Sequence, residues 1–119
     1  MHLNIHDEIG VRCIVAEDGQ RLHDRIFGPL KSGDNVYLDF TGVRQYASPF
    51  FNYSIGQLMN EFSEESLRKL LHLVNINDIG KIVVDQVIAN AARFKGNADY
   101  KKIVDDILAK QAGEDSNGR

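Results

Sequence analysis

Between residues 35 and 58 the chain passes from a strand pattern, through a glycine loop, into a helix opened by Ser48-Pro49. Val36, Leu38 and Phe40 alternate with Tyr37 and Asp39, the period-two pattern of a strand with one buried face. Thr41-Gly42-Val43 follows as a loop. Serine at a helix N-cap accepts a bond from the first free backbone N–H groups, and proline at the next position needs no donor. The sequence therefore predicts Ser48 as an N-cap, with its hydroxyl at the positive end of a helix dipole, a favourable place for a phosphate.

The flanking segments extend this alternation. Residues 2–5 and 11–15 read as two short strands joined in a hairpin-like beginning. Glu17 and Asp18 open a helix with Leu22, Ile26 and Phe27 on its apolar side, which Gly28-Pro29 is expected to weaken or end. After Pro49, the positions Phe51, Ile55, Leu58, Met59 and Phe62 keep helical spacing. Residues 63–66 read as a break or half-turn before a strand at 70–74. Asn77-Asp78 caps a long helix with Val83, Val84, Val87, Ile88, Ala91 and Phe94 inside and Gly96 at its end. Beyond it Tyr100, Ile103, Val104, Ile107 and Leu108 continue a helical stripe, and residues 113–119 are polar throughout. Strands alternating with helices predict a single α/β domain: a mixed sheet of about four strands, partly parallel, packed with helices.

Composition narrows the function. A net charge of −3 over 119 residues argues against a general nucleic-acid or anionic-membrane binder. No apolar run approaches the ~20 residues that span a bilayer, and no signal-peptide pattern opens the chain. The single cysteine, Cys13, excludes an internal disulfide and reads as a small buried hydrophobe in a strand. The expectation is a cytoplasmic protein.

The side chains that could carry chemistry are few. Asp39 ends a strand, where a carboxylate can accept the N–H bonds of the Thr41-Gly42 loop; the other reading makes it an acid at the carboxyl edge of the sheet. His2, His6, His23 and His72 form no ligand-spaced set, so no metal is expected. Scattered glycines at 10, 19, 42 and 56 make no nucleotide loop, and no cofactor is expected. Ser48 lies in no Gly-x-Ser-x-Gly elbow, and Pro49 lacks the N–H that an oxyanion hole there would use. Phe50 and Tyr53 fall on the flanks of the core stripe, as a second layer of core or as an aromatic contact surface.

The strand Leu38-Asp39-Phe40-Thr41-Gly42-Val43 resembles the Leu-Asp-Leu-Ser-Gly-Val core of STAS domains, the sulphate-transporter and anti-sigma-factor-antagonist family. Ser48 then falls, without gaps, on the serine that the antagonist branch has phosphorylated. Ala47 stands where the family has an acidic residue, and Pro49-Phe50 where it has Ser-Gly. A nearer likeness is to bacterial STAS-like proteins of unknown function. They share Asp18-Gly19-Gln20, the strand from Leu38 to Val43, the Ser-Pro-Phe-Phe-Asn-x-x-Ile-Gly-Gln-Leu helix from Ser48, and the Val-Ile-Ala-Asn-Ala-Ala run from Val87.

The resemblance implies a STAS-like domain over residues 1–95; beyond it the apolar stripe predicts a further helix over 96–111, and the polar composition a disordered tail over 112–119. The resemblance also implies a non-catalytic regulatory module whose partner is a histidine-kinase-type ATPase. Ser48 is the candidate phosphoacceptor, with Gly42, Val43, Arg44, Tyr46, Phe50, Asn52 and Tyr53 as candidate partner contacts. The alternatives are a small enzyme at the Asp39–Ser48 edge, and a homo-oligomer formed through the C-terminal stripe.

Overall fold

Leu3, Val36 and Leu38 are buried between more exposed neighbours, the alternation of two strands, and buried Leu71 opens a third whose other residues are half-buried. A computed structural model describes residues 1–94, so the stripe from Tyr100 to Leu108, the Gly96 helix end and the polar tail lie outside the described residues. Strands β1 (His2–Asn4), β3 (Val36–Asp39) and β5 (Leu71–Val74) form a parallel sheet in the order β1-β3-β5. Leu3 pairs with Leu38, and Leu38 with Leu73. On the outer face the rings of His2, Tyr37 and His72 stack across the three strands, with centroids 4.6 and 4.5 Å apart. A second, two-residue parallel pair joins β2 (Arg12–Cys13) to β4 (Gln45–Tyr46).

The α/β architecture is as expected, but the pairing differs. Among the described residues every strand pair is parallel, and the strands divide between two small sheets. No hairpin joins β1 to β2. Asn4 Oδ1 accepts the Asp7 N–H at 3.0 Å and caps a one-turn helix, α1 (Ile5–Glu8), which drives Ile5 fully into the core. That turn carries the chain off the sheet, so β2 finds β4 rather than β1.

Helix α2 (Ala16–Lys31) buries Gly19, Leu22, Ile26 and Leu30 along one stripe and continues through Gly28 and Pro29 to Lys31. The expected stop does not occur there. So near the end, Pro29 removes one backbone bond, while burying Leu30 returns about 1.5–3 kcal/mol. The reversal comes at Gly33, with φ of +85°, where its N–H meets the Leu30 carbonyl at 3.0 Å.

The stripe after Pro49 also divides. Helix α3 (Ser48–Ser54) gives way to a 3-10 helix (Gly56–Asn60), and together they bury Phe50, Phe51, Ile55, Leu58 and Met59. Residues 63–66 open a full helix, α4 (Glu64–Leu70), with Ser63 Oγ accepting the Ser66 N–H at 3.1 Å. Helix α5 (Asp78–Phe94) starts where Asn77 Oδ1 accepts the Gly80 N–H at 2.8 Å, and it buries Val84, Val87, Ile88 and Ala91.

The closest helix contact explains a motif. A β-carbon on Gly19 would stand 2.2 Å from the Phe50 carbonyl oxygen and 3.1 Å from Tyr53 Cβ. Beside it, Gln57 Nε2 donates to Gln20 Oε1 and to the Tyr53 carbonyl, both at 2.7 Å. The Gly19-Gln20 pair of α2 thus locks onto the segment running from Phe50 to Gln57. Gly19→Ala should destabilise the protein by about 1–3 kcal/mol through overpacking, although alanine is the better helix former. Chemical denaturation checks this; an unchanged or raised midpoint would contradict the close approach.

Candidate functional site

The carboxyl ends of β3 and β5 converge on one carboxylate. Asp39 Oδ1 accepts the Thr41 N–H at 2.9 Å, the Thr41 hydroxyl at 2.6 Å and Asn75 Nδ2 at 3.1 Å. These bonds, led by that from the Thr41 hydroxyl, hold the Asp39 carboxyl below the usual aspartate range. Asn75 reaches it from a left-handed backbone, φ of 58°. Gly42 is left-handed too, at φ of +88°, and lies against the His6 ring, which a β-carbon would approach to 3.1 Å. The turn closes where the Val43 N–H meets the Phe40 carbonyl at 3.0 Å.

From this turn the chain enters β4. The N–H groups of Arg44 and Gln45 both donate to the Val11 carbonyl, at 2.8 and 3.1 Å. The Ala47 N–H donates to Cys13, and the Phe50 N–H to Ile14, at 2.9 and 3.1 Å. Tyr46 lies at a centroid distance of 6.1 Å from both Phe51 and Phe40, and its hydroxyl donates to the Val43 carbonyl at 3.4 Å. Burial raises its pKa. Gly80, in the first turn of α5, leaves room for the same ring, since a β-carbon there would stand 2.7 Å from Tyr46 Cε1.

Ser48 is placed one step later than the sequence suggests. The N-cap is Ala47, Ser48 is the first helical residue, and no side-chain cap bond forms. Backbone pairing explains the shift: the β2–β4 ladder holds Ala47 extended up to the helix start, and the Ile14 carbonyl takes the Phe50 N–H. The candidate contacts also separate. Phe50 is fully buried and Val43 nearly so, which makes them core rather than contact surface. Arg44 and Gly42 are exposed, while Tyr46, Ser48, Asn52 and Tyr53 are half-buried.

Four exposed aliphatic residues were not singled out by the sequence pattern. Val11 and Val15 bracket β2, and Ile79 and Ile82, 66% and 64% exposed, lie on α5 next to the turn that receives Tyr46. The signal for the isoleucines is their position off the Val84, Val87, Ile88 and Ala91 stripe of α5. Cys13 is buried, and burial, with the nearby Asp18 charge, pushes its thiol up to about 12. Among the described residues no group of three or more His, Cys, Asp or Glu could hold a metal ion. No helix of the described residues is long and apolar enough to cross a membrane.

A small parallel sheet with a strand–turn–helix element at its carboxyl edge defines an α/β domain of STAS-like type. The chain belongs to the family described as a STAS-like domain of unknown function, whose model matches residues 18–81, from the α2 motif to the first turn of α5. No curated protein and no solved structure matches it.

The lowered Asp39 pKa has a readable consequence. A carboxylate with a depressed folded pKa stabilises the fold above its unfolded value of 3.8, and that stability is lost as pH falls through the folded value. Asp39→Asn should therefore lower the melting temperature by a constant amount between about pH 5 and 7, and the gap to wild type should narrow below about pH 4. A gap independent of pH across that range would show that the charge on Asp39 contributes nothing.

Proposed function

We propose that this STAS-like domain is a non-catalytic regulatory module of the cytoplasm that binds a histidine-kinase-type ATPase through the surface around β2, β4 and the first turn of α5. One observation carries the reading. Of the five large hydrophobic side chains exposed among the described residues, Val11, Val15, Ile79 and Ile82 sit on the segments flanking Gln45–Tyr46. Exposed aliphatic residues with exposed polar neighbours, here Arg44 and Gln45, supply the mixed apolar and polar composition of a protein-binding surface. The likeness to anti-sigma-factor antagonists supports this partner class and the reading of Ser48 as the phosphoacceptor. A phosphate there would add roughly −1.5 to −2 charges beside that surface.

Two features support a binding role over catalysis at the Asp39–Ser48 edge. The Asp39 carboxylate takes three hydrogen bonds on one oxygen and has a lowered pKa, which suits a loop anchor better than a general acid. A groove of about 370 Å³ among the described residues is lined by neither Asp39 nor Ser48.

The test measures affinity for the ATPase domain of a histidine-kinase-type protein from the same organism. Ile82→Asp and Ser48→Asp should each weaken the complex at least tenfold, about 1.4 kcal/mol. Ser48→Ala should bind as wild type and, with no cap bond to lose, shift stability by no more than about 0.5 kcal/mol. Equal affinity for all four forms, or no complex with wild type, would overturn the proposal.

A further inference from the structure

The other flank of α5 forms one wall of a groove closed by α4 and β5, with a volume of about 370 Å³. Its floor is apolar, from Leu67, Leu73, Ile76, Val84 and Ile88, and its charged lining residues are Arg68, Lys81 and Asp85. With about 100° between successive helical residues, Lys81 and Ile88 are turned roughly 100–180° from Ile79 and Ile82, and Asp85 stands between the two faces; neither isoleucine lines the groove. The groove is open to solvent on one side, with an apolar floor and a polar rim, and its volume falls in the range of small-molecule sites.

The charges select the ligand. Arg68 is engaged on both sides, with Nε 2.9 Å from Glu64 and Nη2 3.8 Å from Asp85. Lys81, by contrast, has no ion pair or side-chain hydrogen bond among the described residues. Of the three charged lining residues it alone carries no ion pair among the described residues, and with two cations to one carboxylate the lining matches a single anionic group on an apolar body. At roughly 30 Å³ for each water-sized group, the groove holds on the order of a dozen non-hydrogen atoms. We propose that the groove between α4, β5 and α5 binds a small monocarboxylate with an apolar body of about this size, its tail on Leu73, Ile76, Val84 and Ile88 and its carboxylate on Lys81.

Decanoate has this size and charge and serves as the probe. The full chain, labelled with nitrogen-15, is titrated with decanoate below its micelle-forming concentration, with decanol as the uncharged control. Saturable amide shifts confined to Leu73, Ile76, Lys81, Val84 and their neighbours are expected. Lys81→Gln, an exposed substitution, should weaken decanoate at least tenfold and leave decanol unchanged. Three results would each overturn the proposal: no saturable shift in the full chain, as when its own C-terminal residues fill the groove; shifts centred elsewhere; or equal decanoate affinity for wild type and Lys81→Gln.

Discussion

The absence of one β-carbon, at Gly19, organises this domain. It lets α2 approach the Phe50 carbonyl more closely than any other residue would allow, and the hydrogen bonds of Gln57 to Gln20 and Tyr53 form beside it. With α3 held there, its start cannot drift. The Phe50 N–H reaches back to Ile14, the Ala47 N–H to Cys13, and β4 is drawn along β2. The turn from Thr41 to Val43 is fixed from the other side by Asp39 and Asn75. The surface that carries Arg44, Gln45 and the neighbouring aliphatic residues is thus positioned by a helix contact on the far side of α3. Its geometry is inherited from packing rather than from its own side chains.

Much of this was legible in the sequence because local rules and tertiary demands agree. The alternation from Val36 to Phe40, the Asn77 cap and the inner stripe of α5 follow from short-range patterns, and the structure adds only their partners. The loop bonds of Asp39 to Thr41 lie two residues apart and belong to the same class. Asn75, the third partner, could not be read in advance, since it arrives from the bend after another strand with an unusual backbone.

The discrepancies share one cause, which is that long-range contacts outweighed a local signal. Burial of Leu30 carried α2 past a proline, and the β2–β4 ladder moved the start of α3 from a capping serine to an unassisted Ala47. Phe50 sits off the Phe51-Ile55 stripe, yet it is fully buried because α2 covers its side of α3. The solvent-facing isoleucines of α5 show the converse: a pattern that finds the inner face of a helix is silent about apolar residues left outside it.

The registry of the main sheet bears on how the chain folds. Leu3 pairs with Leu38 and Leu38 with Leu73, so the three parallel strands are separated by equal lengths of chain. Neither pairing can form locally; each closes a loop that contains at least one helix, and the entropy of closure is spent before any ladder bond is made. The central strand takes part in both closures, whereas each edge strand takes part in one. Damage to β3 should therefore slow folding more than equal damage to β1 or β5, and the speed of the domain is set by two successive ring closures of matched size rather than by how fast its helices coil.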